Sequence, residues 1–182
     1  TDLTQFDSQM QPNCDPGEGC FLDPCDENSD CLSNFCVDML GNSVCTMSCQ
    51  EDCPEGWSCQ QVQDSQPDVA FICVPDYPLL CRPCSTATDC QSLGVEVPCI
   101  DYGIEGSFCG GNCSSDDDSV CPGGYSCVNA MTIDGVELSQ CVADSGQCVC
   151  TDKSIDLGLW TACSMTNEWG SCEGMRVCTD EG

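Results

Sequence analysis

The stretch Cys53-Pro-Glu-Gly-Trp-Ser-Cys59 occurs a second time as Cys121-Pro-Gly-Gly-Tyr-Ser-Cys127. In both copies a Pro-x-Gly turn leads into an aromatic residue, and thirteen residues separate the box from a closing cysteine, Cys73 or Cys141. Self-similarity of this kind marks a repeated supersecondary unit. The two boxes therefore predict two modules that fold in the same way.

The repeat continues upstream of each box. Each copy begins with Pro-Cys, then five residues and a second cysteine, and later contains a Cys-x₃-Cys. Eight cysteines thus recur in the same order: Cys25, Cys31, Cys36, Cys45, Cys49, Cys53, Cys59 and Cys73 in module A, and Cys84, Cys90, Cys99, Cys109, Cys113, Cys121, Cys127 and Cys141 in module B. We divide the chain into an N-terminal arm (1–20), module A (21–77), module B (78–144) and a C-terminal Cys-rich segment (145–182).

The cysteine content predicts disulfides. The chain has 24 cysteines in 182 residues, above the roughly 8–10% that marks a disulfide scaffold. Structural zinc sites use regularly paired cysteines, often completed by histidine, whereas here the spacings are scattered and histidine is absent. Disulfides persist in oxidising compartments. We therefore expect an exported, oxidised protein in which the even count permits full pairing into twelve bridges.

Eight cysteines have no counterpart in the repeat: Cys14, Cys20, Cys81, Cys148, Cys150, Cys163, Cys172 and Cys178. Three of them precede a module or the C-terminal segment, which suggests that they brace these junctions. We expect the pairs Cys14–Cys20 and Cys81–Cys148. The remaining connectivity cannot be deduced, since even eight cysteines allow 105 pairings.

The predicted fold class is small and disulfide-rich, with tandem modules of short β-hairpins and loops and little or no helix. In module B, Asp134-Gly135 between two apolar runs is a two-residue hairpin signal; the matching turn of module A falls at 64–68. A second hairpin is expected from Cys36 to Cys45, turning at Gly41-Asn42, and its counterpart from Cys99 to Cys109. One short helical turn is expected after Asp152.

Modules of this size bury too little apolar surface to be stable without cross-links. Trp57 and Tyr125 occupy equivalent positions in the two boxes. We expect each ring to cover a disulfide and to serve as the small core of its module.

The residues do not support an enzyme. Histidine-dependent nucleophilic catalysis is excluded because the chain has no histidine. Cys81-Arg-Pro-Cys84 has the spacing of a redox motif, but Cys84 aligns with Cys25 of module A, so we interpret both cysteines as structural. No catalytic or cofactor-binding residue is predicted.

The charge balance restricts the partners. With 3 Lys+Arg against 31 Asp+Glu, the formal net charge is −28, which opposes binding to nucleic acid or anionic membranes. No cofactor is required, and calcium is the candidate metal because it prefers oxygen-rich loops. The candidate ligands are Asp26, Asp30, Asp116, Asp117 and Asp118. The simpler interpretation of any one of these carboxylates is that it is a solvated surface group.

The longest apolar run, Val69 to Val74, suits a strand and is far shorter than a membrane span of about 20 residues. We expect a soluble, secreted or cell-surface protein without membrane insertion, whose signal peptide has been removed. Its expected partners are further copies of itself or another surface protein.

The Cys-x₅-Cys openings, the aromatic boxes and the Cys-Val-x-Asp ends resemble the disulfide-rich repeats of exported myxobacterial-type (deltaproteobacterial) cell-surface proteins. The C-terminal segment, with Cys148-Val-Cys150 and Trp160 to Cys178, is similar to a segment of such proteins too. In those proteins acidic repeats thought to bind metal often follow it; such repeats are missing here, so a metal role is not carried over. The resemblance covers most of residues 20–178 and implies location and architecture.

The sequence therefore favours a non-enzymatic extracellular structural or interaction protein, a disulfide-stapled module of a cell-surface, filament or sheath assembly. The alternative is a calcium-dependent adhesion or ligand-binding module of a secreted protein.

Overall fold

A computed structural model describes residues 14–63, 69–92, 95–114 and 121–179. It confirms the predicted class, a small disulfide-rich fold of short antiparallel hairpins with very little helix. The chain divides into two compact units, Thr1–Pro78 and Leu79–Gly182. The C-terminal segment therefore belongs to the same unit as module B. The first 13 residues of the arm and the predicted turn at 64–68 lie outside the described residues.

Every strand pairs with its neighbour in sequence to form a two-stranded antiparallel sheet. The strands of the first unit are β1 (Cys36–Met39), β2 (Asn42–Cys45), β3 (Trp57–Gln63) and β4 (Val69–Pro75). Those of the second unit are β5 (Gln91–Ser92), β6 (Val95–Glu96), β7 (Cys99–Asp101), β8 (Ser107–Cys109), β9 (Tyr125–Met131), β10 (Glu137–Ala143), β11 (Trp160–Asn167) and β12 (Gly170–Val177).

Helical structure in the described ranges is limited to four short pieces. The α-helix α1 spans Asp152–Asp156, where the sequence predicts a helical turn, and Thr151 caps its N-terminus. Turns of 3₁₀ helix span Asn28–Asp30, Ala87–Cys90 and Gly103–Glu105.

The same arrangement of cysteines recurs in four hairpins. Two cysteines face each other across the strands, as Cys36 faces Cys45 and Cys59 faces Cys73, but they do not bond to each other. Each bonds instead to a cysteine in the loop before its hairpin. The bridges are Cys25–Cys36, Cys31–Cys45, Cys49–Cys59 and Cys53–Cys73 in module A, and Cys84–Cys99, Cys90–Cys109, Cys113–Cys127 and Cys121–Cys141 in module B. We call each loop and hairpin joined by two interleaved bridges a half-module (25–45, 49–73, 84–109 and 113–141).

Three bridges lie outside the half-modules. Cys14–Cys20 and Cys81–Cys148 form as predicted, and the third is Cys150–Cys178. Cys163 and Cys172 are not bonded to each other in this structure, which therefore contains eleven of the twelve bridges that the even cysteine count permits. The strand register explains the difference, because Cys163 lies opposite Gly174 and Cys172 lies opposite Met165.

The predicted hairpin turns are correct in place but shifted in detail. The turn between β1 and β2 is Leu40-Gly41, not Gly41-Asn42, because Asn42 pairs with Met39. Leu40 and Gly41 both have positive φ, 48° and 79°, as a type I′ turn requires. Leu40 thus adopts a conformation that L-residues usually avoid.

The turn between β9 and β10 is longer than the predicted Asp134-Gly135 pair. The Gly135 N–H donates to the Thr132 carbonyl (2.9 Å), and the Thr132 N–H donates to the Val136 carbonyl (2.8 Å). Gly135 has a φ of 77°. These features describe a three-residue loop in which the glycine follows a tight turn and occupies the left-handed region.

Among the described residues the core is divided into small clusters; four contain buried cysteine, and a fifth is formed by Val37, Ile72 and Val74. In module A, Trp57 packs on Phe21 (ring centroids 5.0 Å apart) and on a cluster that includes Cys53 and Cys73. In the second unit, Tyr125 packs on a cluster that includes Cys81 and Cys148. The expectation that these two aromatic rings cover disulfides is confirmed.

Candidate functional site

Asp30, one of the predicted calcium ligands, closes a turn in its own loop. One carboxylate oxygen, Oδ2, accepts hydrogen bonds from the backbone N–H groups of Asp26 and Glu27, each 2.9 Å long. These bonds favour the ionised form and lower the pKa of Asp30. Asp30 therefore has a structural role that its sequence context did not reveal.

Asp89 repeats this arrangement in module B. Its Oδ2 accepts from the backbone N–H groups of Ser85 and Thr86, each at 2.9 Å, and from both of their hydroxyl groups at 3.1 Å. Partial burial acts to raise the pKa of Asp89, but the four hydrogen bonds together outweigh it and lower the pKa. Aspartate thus fixes the same turn in both modules.

Asp23 is a third carboxylate that serves the backbone. Its Oδ2 accepts from the N–H groups of Gly17 (2.7 Å), Gly19 (3.0 Å) and Cys20 (2.8 Å). It thereby orders the loop that contains the Cys14–Cys20 bridge.

Of the predicted calcium ligands, the structure describes Asp26 and Asp30. Asp116, Asp117 and Asp118 lie outside the described residues. Within the described part of the chain, the groups of three metal-ligand atoms within 4.8 Å of one another are four cysteine triplets. All twelve of these sulfurs are in half-module bridges, so they offer no thiolate to a metal.

Cys81 and Cys84 do not form a redox pair with each other. Cys81 bonds to Cys148 and Cys84 bonds to Cys99, in agreement with a structural interpretation of both residues. A shallow surface depression in module A is lined by Met47, Ser48, Cys49, Gln50, Glu51 and Asp52, and none of these side chains is a predicted catalytic group.

The hairpin of β11 and β12, which we call the terminal hairpin, is anchored at its base. Thr161 is 2% exposed, and its hydroxyl oxygen accepts from the Ser107 N–H at 2.6 Å. Opposite Thr161 on β12, Arg176 donates to the Glu105 carboxylate at 2.6 Å. The Cys150–Cys178 bridge holds the chain after β12.

The two faces of the terminal hairpin differ in composition. The outer face carries Trp160, Ala162, Met175 and Val177, which form the cross-strand pairs Trp160–Val177 and Ala162–Met175. The other face, which we call the thiol face, carries Thr161 and Arg176 at the base and then Cys163, Gly174, Met165 and Cys172 toward the turn.

The outer face is open to solvent. Trp160 is 44% exposed, Met175 63% and Val177 43%. A tryptophan beside two large aliphatic side chains is typical of the apolar centre of a protein interface. This face is the strongest candidate interaction site among the described residues.

The terminal hairpin was not predicted from the sequence. A usable signal was present, since Glu168-Trp169 separates two runs of eight residues, the second of which begins with Gly170. The cysteine spacing did not indicate this hairpin. In the half-modules two cysteines face each other across the strands, whereas Cys163 and Cys172 do not.

No helix within the described ranges is long and apolar enough to cross a bilayer. No protein-family model, curated protein sequence or solved structure matches this chain.

Proposed function

We propose that this protein is a non-enzymatic extracellular module that joins a cell-surface or filament assembly through the outer face of its terminal hairpin. The observation that carries the proposal is the exposure of Trp160, Met175 and Val177 side by side on an anchored hairpin. The disulfide-rich fold is compatible with a location outside the cell, where bridges persist.

Rigidity supports an interaction role. Binding costs free energy when loops and side chains must become ordered, and a preorganised surface reduces that cost. The terminal hairpin is fixed at its base by the Cys150–Cys178 bridge and by the Thr161 hydrogen bonds. A partner would therefore meet a surface that is already shaped.

Charge sets the conditions under which copies of the chain can associate. Each copy has a formal net charge of −28, so two copies repel each other at low ionic strength. Salt screens this repulsion, with a Debye length of about 10 Å at 0.1 M. We expect self-association to increase with salt, and calcium to act further only if the acidic loops bind it.

The test is the mass of the native protein in solution, measured by light scattering at several salt concentrations, with calcium and then with chelator. Particles larger than the 19.4 kDa chain in both conditions would support a structural polymer. Particles that form only with calcium would indicate that the acidic loops, and not the outer face, mediate assembly. A monomer in all conditions would refute self-assembly and leave a separate surface protein as the proposed partner.

Two matched variants locate the interface. Met175 and Leu32 are both 63% exposed, but only Met175 lies on the outer face. We expect Met175→Ser to reduce the particle mass and Leu32→Ser to leave it unchanged. Equal effects of the two substitutions would refute the outer face as the contact surface.

A further inference from the structure

We propose that Cys163 and Cys172 form a twelfth disulfide across the terminal hairpin, and that this bridge is an exposed, redox-responsive modification site. The other 22 cysteines are all paired within the chain. Each of Cys163 and Cys172 therefore has only the other as a possible partner within the chain. The inference is independent of the proposed function.

The two thiols share one face of the hairpin. Cys163 pairs with Gly174, and Cys172 lies two residues before Gly174 on β12. Because side chains alternate along a strand, residues two apart point the same way. Cys163 and Cys172 are therefore diagonal neighbours on the thiol face.

Gly174 leaves room for the approach. A Cβ placed on Gly174 would lie 3.2 Å from the Cys163 Sγ, so this sulfur already lies over the opposite strand. Any larger residue at 174 would crowd the Cys163 sulfur on the thiol face. The missing side chain thus opens the diagonal between Cys163 and Cys172.

Closing the bridge requires a local adjustment of the strands. Diagonal neighbours in a sheet are usually about 7–8 Å apart at Cα, whereas most disulfides join Cα atoms about 4.4–6.8 Å apart. The anchors at Thr161 and Arg176 lie at the base of the hairpin, and both cysteines lie nearer its turn. Two-stranded ribbons also twist more strongly than wider sheets. Because the anchors hold the base, the adjustment is confined to the part of the hairpin near its turn.

The oxidant is a disulfide, either a small molecule such as oxidised glutathione or a thiol–disulfide oxidoreductase. The thiolate of exposed Cys172 attacks one oxidant sulfur, forms a mixed disulfide and releases the first thiol. The thiolate of Cys163 then attacks the Cys172 Sγ, forms the internal bridge and releases the second thiol. Two protein thiols are oxidised, one disulfide is reduced to two thiols, and the protons are transferred to the released thiolates.

The position of this bridge predicts that it is the most easily reduced of the twelve. Exposed and strained disulfides have higher reduction potentials than buried structural ones. Cys172 is exposed and Cys163 partly so, whereas every cysteine of the other eleven bridges is either buried or only partly exposed. Mild reductant should therefore open the terminal hairpin bridge first.

The test uses the full chain, folded in a mixture of reduced and oxidised glutathione and then denatured without reductant and alkylated. We expect no alkylated cysteine, and peptide mapping should recover a Cys163–Cys172 linked fragment. Alkylation of both residues in the oxidised monomer would overturn the proposal. A dimer linked through either residue would overturn it as well. In a titration with mild reductant, these two residues should be alkylated before any other cysteine.

Two glycine variants test the role of Gly174. Alanine at 174 would place a methyl group beside the Cys163 sulfur, while a Cβ at Gly123 would meet nothing within 4 Å. We expect Gly174→Ala to slow closure of the bridge about tenfold, which corresponds to ~1.4 kcal/mol of barrier, and Gly123→Ala to have no effect. Equal closure rates in both variants would contradict the proposed path of the sulfur.

Discussion

The buried hydroxyl of Thr161 accepts a 2.6 Å hydrogen bond from the backbone N–H of Ser107, a residue 54 positions earlier in the chain. The same hydroxyl has three carbonyl acceptors in reach, those of Ser107 at 2.8 Å, Cys84 at 3.0 Å and Ala162 at 3.2 Å. Gly106 completes the contact, because a Cβ there would lie 2.3 Å from the Thr161 methyl group. One side chain thus fixes the terminal hairpin to module B.

Substitution of Thr161 by valine keeps its shape but removes the hydroxyl. The Ser107 N–H would then be buried without a partner, which typically costs about 1–3 kcal/mol. We expect Thr161→Val to lower the free energy of unfolding of the second unit by this amount, as measured by denaturant titration. The exposed residue Thr179 provides the control, since Thr179→Val should change stability by less than ~0.5 kcal/mol. Equal losses would contradict the anchoring role of Thr161.

Adjacent residues on β4 should respond very differently to truncation. Ile72 is 2% exposed and packs with Val37 and Val74, whereas Phe71 is 48% exposed on the opposite face. We expect Ile72→Ala to destabilise the first unit by about 2–5 kcal/mol, the usual cost of such a cavity. Phe71→Ala should cost less than about 1 kcal/mol. If unfolding experiments gave the reverse order, the register of β3 and β4 would be wrong.

The span of a disulfide should determine how much it stabilises its unit. Cys81 and Cys148 are 67 residues apart, whereas Cys14 and Cys20 are 6 apart. Loop entropy gives about 4 kcal/mol for the longer span and about 2 kcal/mol for the shorter. We expect Cys81→Ala with Cys148→Ala to destabilise its unit more than Cys14→Ala with Cys20→Ala destabilises the other. Thermal unfolding of the two double variants checks the order, and a larger effect of the short bridge would contradict it.

Acid should weaken the turns that Asp30 and Asp89 close. The pKa of each carboxyl is lowered in the folded protein, so its stabilising effect is present above the unfolded pKa of about 3.9 and lost as pH falls through the folded value. Protonation of the many other carboxylates acts in the opposite direction, because it relieves repulsion.

Comparison with variants separates these two effects of acid. We expect Asp30→Asn and Asp89→Asn to reduce the part of the stability that disappears between pH 5 and pH 2, as followed by unfolding in guanidinium. Glu137→Gln, at an exposed position on β10, should retain the pH dependence of the unaltered chain. An unchanged profile in all three variants would show that the two turns contribute nothing to acid stability.

The number and positions of the cysteines were sufficient to predict the fold class and the bridges Cys14–Cys20 and Cys81–Cys148. The recurrence of the same cysteine order in both modules carries this information, because each cysteine of a hairpin must reach a cysteine in the loop before it. The aromatic boxes were equally informative, since Trp57 and Tyr125 each pack on a buried cluster that contains cysteine sulfur.

Turn registers and carboxylate roles were not predictable in the same way. The positive φ of Leu40 conflicts with its local preference, and only the pairing of Met39 with Asn42 places it in the turn. The acidic neighbours of Asp30 make it a candidate metal ligand, but they do not indicate that its carboxylate also closes the turn Asn28–Asp30 as part of a capping box with Glu27.

The half-modules also determine the order in which the chain can oxidise while it emerges N-terminus first during synthesis. Their bridges join cysteines no more than 20 residues apart, and no bridge crosses from one half-module to the next. Each half-module can therefore be completed before the following one appears. Cys81 is the exception, because its partner Cys148 emerges only after all eight cysteines of module B. Oxidation should therefore proceed along the chain in sequence, and the Cys81 thiol should stay reduced until the bridges of module B have formed.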